Sequence, residues 1–278
     1  MTAPAEQRVR HRRSATKRRA VIAAVSALGI TGAAVVTTSM LSTAGAAASS
    51  WPTDKGKTPV SKTIPVSGVR DGGMKMFYGT GALGKGNQDE GQDPIFELAD
   101  GAVLKNVIIG TPAADGVHCK GSCTLQNVWW TDVGEDAASF KGKSASAVYK
   151  VIGGGAQNAE DKVLQFNGAG TLNVSGFQVR NAGKLVRSCG NCKTQYKRTI
   201  VLSDIDVTAP MNSIVGVNAN YGDTATLSRV RIHGDSKKKI KTCVRFQGNN
   251  TGKEPKELTP PGPDGKSCKF KASDISYQ

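Results

Sequence analysis

The feature that most restricts this chain is a repeat. Leu-Lys-Asn-Val at 104–107 returns as Leu-Gln-Asn-Val at 125–128, Val-Tyr-Lys-Val at 148–151, Leu-Ser-Asp-Ile at 202–205 and Leu-Ser-Arg-Val at 227–230. A second pattern runs between these: Asp-Gly-Val-His at 115–118, Asp-Ala-Ala-Ser at 136–139, Asp-Lys-Val-Leu at 161–164 and Lys-Leu-Val-Arg at 184–187, then Ser-Ile-Val-Gly at 213–216 and Thr-Cys-Val-Arg at 242–245. Its third position reads Val117, Ala138, Val163, Val186, Val215 and Val244, at intervals of 21 to 29 residues. A period in this range marks an array of stacked units. Each unit holds short β-rich strands separated by Gly or Asn corners, without an amphipathic helix between them. One unit cannot bury its apolar face alone, whereas stacked units can. The expectation is an all-β solenoid, a parallel β-helix. A β-sandwich of unrelated strands would not need equivalent residues at a near-constant interval.

The ends behave differently. Seven Arg and Lys residues between Arg8 and Arg19 form a basic head, an uncharged apolar run follows to about Leu41, and Ala44-Gly45-Ala46-Ala47-Ala48 closes it with small residues. Together these predict a secretory signal peptide over 1–46, cleaved near Ala46–Ala48, and a β-helix domain over 47–278. Removing 1–46 lowers the net charge from +15 to +9. A basic, exported chain points to a polyanionic partner. Nucleic acid is disfavoured, because no recognition motif or aromatic–basic interleaving appears. An acidic polysaccharide fits better. Six cysteines in an exported chain predict disulfides, with the close pairs Cys119/Cys123 and Cys189/Cys192 bridging locally and leaving Cys243 for Cys268. The Pro-rich segment from about Asn249 to Lys266 reads as a surface loop.

Stacking turns sequence period into spatial adjacency. The alignment puts Asp115, Asp136 and Asp161 in one column, with Glu135 and Glu160 preceding the last two. Carboxylates in adjacent coils lie on the order of 5 Å apart, and two such charges repel by roughly 3 kcal/mol at an effective dielectric near 20. Either a proton or a hard divalent cation can compensate them, and calcium takes its ligands as oxygens of this kind. A solvated acidic stripe paired with lysines, such as Lys184 beside Asp161, is the bland alternative. Lys162 follows the column by one position and Arg187 by three, and Lys141 lies near the end of its strand. Strand alternation predicts that Lys162 and Arg187 point outward on one face.

A cation site beside fixed cations suits a polyuronate. β-Elimination removes the proton at C5, α to the uronate carboxylate, and expels the O4-linked sugar. The base is then a neutral Lys or Arg, which predicts an alkaline optimum.

At this point the residues resemble a family. Asp115-Gly-Val-His-Cys119, the run from Asn127 through Trp129-Trp130-Thr-Asp-Val-Gly-Glu135-Asp136-Ala-Ala to Gly142, Gly153 through Lys162, and Gly183-Lys-Leu-Val-Arg-Ser-Cys-Gly-Asn-Cys192 look like polysaccharide lyase family three, the short bacterial and fungal pectate lyases. The resemblance runs from about Ser61 to the C-terminus. It implies a right-handed parallel β-helix and calcium-dependent cleavage of polygalacturonate; the leader predicts a secreted protein, and nothing in the sequence demands more than a monomer. The resemblance further implies calcium ligands at Asp115, Glu135, Asp136 and Asp161, and a functional acid at Glu90. Lys162, Lys184 and Arg187 are the catalytic and substrate-binding cluster it implies, with Lys141 also against the substrate. Between Lys162 and Arg187 we take Lys162 as the base, with Arg187 and Lys184 clamping substrate carboxylates. Glu160 stands where a shorter polar residue is expected.

Two other readings stay open. A hydrolase on the same fold would use a carboxylate pair and leave Lys162 and Arg187 without a task. A β-helical binding module for anionic glycans would need no turnover. His118 reads as structural or substrate-facing, His233 is a second tempting acid or base, and Trp129 and Trp130 read as one core and one sugar-platform residue.

Overall fold

A computed structural model describes residues 50–278 except Gly86, Asn87 and Glu90. The leader expected over 1–46 and the acid expected at Glu90 therefore lie outside the described residues. Each coil of chain lays down three strand segments, and each segment pairs in parallel with its equivalents in the coils above and below. One face stacks 64–66, 96–98, 117–119, 138–140, 164–166, 186–188, 215–218 and 243–246. A second stacks 69–71, 102–105, 123–126, 149–152, 171–175, 199–203 and 224–228. The third stacks 75–77, 107–109, 128–130, 155–157, 178–180, 206–208 and 230–233. This is the parallel β-helix that the repeat predicts. Among the described strands the hairpin of 245–247 against 256–258 runs antiparallel.

The core is a set of columns running along the stack. Leu104, Leu125, Val151, Val174, Leu202 and Leu227 form one, and Phe96, Val117, Ala138, Leu164, Val186, Val215 and Cys243 another, all buried. Burying each large aliphatic side chain stabilises the fold by about 1.5–3 kcal/mol, and no single coil could bury it alone.

The columns correct the sequence alignment in three places. Leu125 faces Val151 and not Val148, a shift of three residues, so the segment around Val174 joins the column cleanly. Ala138 faces Leu164 and not Val163, because an extra residue bulges out between Ala159 and Lys162. Val215 faces Cys243 and not Val244. A periodic pattern cannot register an insertion of one residue when the flanking positions are also apolar, and Val163 and Val244 are themselves buried.

The corner between the second and third faces repeats a left-handed backbone residue: Asn106, Asn127, Gly153, Gly176, Asp204 and Arg229 all have φ between 51° and 63°. Gly and Asn tolerate this region best. Where the side chains permit, they also form rungs: Asn127 Nδ2 donates to Asn106 Oδ1 at 2.8 Å, and Arg229 pairs with Asp204 at 2.6 Å. Cys119–Cys123, Cys189–Cys192 and Cys243–Cys268 are bridged, as the spacing predicts. The last of these ties the C-terminal segment to the core.

The two adjacent tryptophans do not divide as expected. Trp130 is fully buried against Phe177, and Trp129, on the outside of the coil, is covered by Trp51, whose ring meets it edge-on at 5.0 Å. Trp129 is therefore no open sugar platform.

The corner makes a measurable claim. Asn127→Val places a β-branched residue at φ 54° and is expected to cost about 1–3 kcal/mol in denaturant unfolding. Asn127→Gly keeps the backbone conformation, loses the side-chain contacts to Asn106, Trp129 and Met74 Sδ, and is expected to cost clearly less.

Candidate active site

The bulge before Lys162 decides how the site is built. Stepping back two residues along each strand from the column Val117, Ala138, Leu164 and Val186 gives Asp115, Asp136, Lys162 and Lys184, and the ladder continues to Ser213 and Lys241. The sequence alignment puts Asp161 on top of Asp136. In the structure Lys162 takes that place, and Asp161 is turned outward, 41% exposed at its side chain. A bulge re-aims the side chains beside it in this way.

Asp115, Glu135 and Asp136 converge. One carboxylate oxygen from each lies within 4.8 Å of the others, and all three residues are buried. Gly116 makes the close approach possible: at φ 49° it is in the left-handed region, and a Cβ there would overlap the Ala137 carbonyl. Lys162 Nζ caps the group, 3.6 Å from Glu135 Oε1, 3.8 Å from Asp136 Oδ1 and 2.8 Å from Asp161 Oδ2. Lys184 Nζ pairs with Asp161 Oδ1. Of the four acids expected as ligands, three thus share one pocket and the fourth, Asp161, joins the two lysines. Glu160 is exposed on the outer side of the corner.

Two oxygens in this pocket are buried without a hydrogen bond, Asp115 Oδ1 and Asp136 Oδ1, the latter keeping only the 3.8 Å ion pair to Lys162. Unpartnered buried acceptors cost free energy. Three buried carboxylates converging in one pocket offer hard oxygen atoms that fit a divalent cation of the calcium type. Burial pushes the Asp136 carboxyl well above the usual carboxylate range, with Glu135 and Asp115 adding to the rise and Lys162 opposing it. Burial alone would lower the Lys162 ammonium, but Asp136, Asp161 and Glu135 outweigh it and raise its pKa. Asp161 is pushed up by burial and then pulled below its ordinary value by hydrogen bonds from Lys162 and Lys184.

Arg187 reaches the same cleft by another route. It stands three positions beyond Lys184 on an outward-facing column, aligned with Gln165 and Gly216. Its guanidinium lies 3.7 Å from the centroid of the Phe246 ring, and Nη1 donates to Ser188 O at 2.7 Å and to Asn218 Oδ1 at 3.2 Å. A Cβ at Gly216 would press on Arg187 Cδ at 2.8 Å, so glycine leaves the room. Asn218 is in turn fixed by Asp223, which accepts its backbone N–H at 3.0 Å. Burial brings Arg187 down to about 10, opposed by Glu254, Asp223 and Asp161. Lys162 and Arg187 therefore do meet, but not as strand neighbours of one parity. Together with Asp161, Lys184, Gln165 and Phe246 they line a cleft of about 200 Å³. Lys141 sits one coil back, with Nζ 3.8 Å from Asp115 Oδ2 and 2.9 Å from His118 Nε2. His233 lies elsewhere, bonded to Asp206 on the third face.

Sequence reasoning missed Asn218, Asp223 and Phe246, which are distant along the chain and carry no local signal. It also missed what His118 does: Nε2 is 2.5 Å from Asp115 Oδ2. That contact had a visible trace, since a polar residue follows each of Asp115 and Asp136 by three positions.

The chain is similar to known proteins over most of its length. A family model described as pectate lyase matches residues 48–253. A probable pectate lyase E of Neosartorya fischeri is 50% identical over 222 residues, covering 79% of this chain and 84% of the relative. Pectate lyase E of Emericella nidulans is 49% identical over 222 residues, covering 79% and 83%. Among solved structures, the catalytic domain of pectate lyase PelI from Erwinia chrysanthemi superposes with a TM-score of 0.69 at 33% identity, over 80% of this chain and 100% of that one. PelI in complex with tetragalacturonic acid gives 0.66 at 31%, over 79% and 70%.

The buried pocket predicts a pH effect on stability. Asp136 has a folded pKa above its unfolded one, near 3.9, so the folded state holds the extra proton between the two values. Stability from this group is full below the unfolded value and falls as pH rises through the folded one. In chelator, Asp136→Asn is expected to raise the melting temperature at pH 8 and to change it little at pH 3.

Proposed function

This chain belongs to the pectate lyase family and is a polysaccharide lyase, and on that premise we propose a secreted, calcium-dependent enzyme that cleaves de-esterified homogalacturonan by β-elimination with Lys162 as base. The observation that carries the reading is Lys162 Nζ paired with Glu135 and Asp136 in a pocket of three buried carboxylates, Asp115 being the third, beside a cleft shared with Lys184 and Arg187. The PelI complex with tetragalacturonic acid supports an oligogalacturonate as occupant of this cleft.

Asp115, Glu135 and Asp136 are the residues that would hold the cation. When bound, calcium would supply Lewis-acid stabilisation of charge developing on the uronate carboxylate and would offset the Asp136 and Glu135 charges that, with Asp161, keep Lys162 protonated. The chain's own groups do the rest. Lys184 and Arg187 bind and orient uronate carboxylates through charge-assisted hydrogen bonds. Neutral Lys162 takes the C5 proton. The electron pair of that C–H bond becomes the C4–C5 double bond, and the C4–O4 bond breaks with its electrons on the departing oxygen. The products are a chain with a new reducing end and an unsaturated uronide. A carboxylate-based hydrolase is disfavoured by the same geometry, since an inverting pair needs roughly 6.5–9.5 Å between its carboxyls with water between them. These three lie within 4.8 Å and are buried.

One observation favours a second assignment of the base. Arg187 is brought down to about 10 by burial, whereas Lys162 is raised by its carboxylates. Arg187 as base and Lys162 as clamp would use the same cleft.

Turnover of polygalacturonate, followed by the ultraviolet absorbance of the unsaturated product, tests these roles. Lys162→Met is expected to lower kcat by about 10²–10⁴ while binding of trigalacturonate in calorimetry persists. Loss of binding with little change in kcat would make Lys162 a clamp and leave Arg187 as base. Activity should rise toward alkaline pH, stop on addition of chelator and return with calcium. An unchanged rate in chelator would sink the cation reading.

A further inference from the structure

Asp115 and Asp136 are held in the same way, and the likeness is local. Each is followed by a strand whose outward residue lies three positions on, His118 in one coil and Ser139 in the next, and these two face each other in the parallel register. Each outward residue bonds one oxygen of its own coil's carboxylate. His118 Nε2 lies 2.5 Å from Asp115 Oδ2, and Ser139 Oγ donates to Asp136 Oδ2 at 3.1 Å. In both cases the other oxygen, Oδ1, is buried and makes no hydrogen bond, although Lys162 Nζ lies 3.8 Å from that of Asp136. The donors themselves are buried, His118 6% exposed and Ser139 1%. Neither enters the proton transfer described above.

A carboxylate oxygen accepts, so Nε2 is the donor toward Asp115. The Lys141 ammonium lies against the same ring, 2.9 Å from Nε2 and 3.2 Å from Nδ1. The side-chain torsion of an aspartate carboxyl is broad and roughly two-fold, so an unanchored carboxylate would spread its oxygens over many orientations. Tying Oδ2 leaves one direction for Oδ1.

We propose that His118 and Ser139 are positioning residues that aim Asp115 Oδ1 and Asp136 Oδ1 into the carboxylate pocket, and thereby set its affinity for a divalent cation. The proposal rests on the calcium reading above. Anchors behind metal ligands are worth about 10- to 100-fold in affinity, and the same range is expected here. The effect lies in cation binding, so any loss of turnover should be recovered by raising calcium.

The test is isothermal titration of the full chain with calcium alone at pH 8, alongside the calcium dependence of polygalacturonate turnover. His118→Ala and Ser139→Ala are each expected to weaken calcium binding by about 10- to 100-fold. His118→Gln, which carries an N–H donor at similar reach, should recover much of the loss. Ser139→Ala changes volume little, so it carries the test where His118→Ala fails to fold. Variants that bind calcium as tightly as the unmodified chain overturn the positioning role and leave the calcium reading standing. His118→Gln as weak as His118→Ala also overturns it, because the loss would then be one of packing. An unmodified chain that takes up no calcium overturns this proposal and the calcium reading together.

Discussion

Everything in this molecule follows from parallel pairing between coils at one strand spacing, about 4.8 Å. Equivalent side chains cannot move apart, because the backbone ladder fixes their separation. Apolar columns profit from this and form the core. Polar columns must be resolved rung by rung. On the outer surface they are resolved by alternating chemistry: Asn127 bonds Asn106, Asn181 bonds Asn158, and Arg229 and Arg231 make forked pairs with Asp204 and Asp206 one coil below. Asp115 and Asp136 break the pattern by putting like charge on like charge in a buried place. Lys162 and Lys141 stand against this charge, and a local rule broken in this way marks a functional site.

The cationic side of the cleft shows how much structure supports one charge. Arg187 rests on Phe246 and over Gly216, and its Nη1 is held by Ser188 and Asn218. Asn218 also donates to Cys189 O at 2.8 Å, beside the Cys189–Cys192 bridge. Behind it Asp223 accepts from the backbone N–H groups of both Asn218 and Arg198, and Arg198 is fully buried with its guanidinium on the carbonyls of Gly168 and Asn167. The guanidinium in the cleft is therefore placed by a chain of buried polar contacts reaching the next corner. Such a network is costly unless every member is satisfied, and in exchange it leaves Arg187 little freedom. A lysine there would lose the ring stacking and the forked geometry together.

The fold was legible because periodicity survives small errors. Columns misaligned by one residue at Val163 and Val244, or by three at Val148, still announce stacked coils, since any of several neighbouring apolar residues can fill a rung. The site was less legible for the same reason turned around. Its chemistry depends on single-residue register, and the bulge between Ala159 and Lys162 is invisible to a pattern that tolerates shifts of one. The residue types at Asp115, Glu135, Asp136, Lys162, Lys184 and Arg187 could be named from sequence, and the structure brings them to one corner. Which of Asp161 and Lys162 stands above Asp136 could not. The supports at Asn218 and Phe246 lie 31 and 59 residues beyond Arg187 and meet it only through two further coils.

The bulge also explains why the acidic column stops where it does. With uninterrupted register, Asp161 would extend Asp115 and Asp136 by a third like charge, at a further cost of roughly 3 kcal/mol per adjacent pair by the Coulomb estimate for charges near 5 Å at a dielectric near 20. One added residue exchanges that rung for an ammonium. Lys162 closes the carboxylate pocket from above, and Asp161, swung outward, turns to hold Lys162 and Lys184. The same insertion therefore ends the repulsion and sets an amine beside the pocket. Under the proposed β-elimination that amine is the proton acceptor beside the carboxylate pocket, and its placement there arises from a single departure from the repeat.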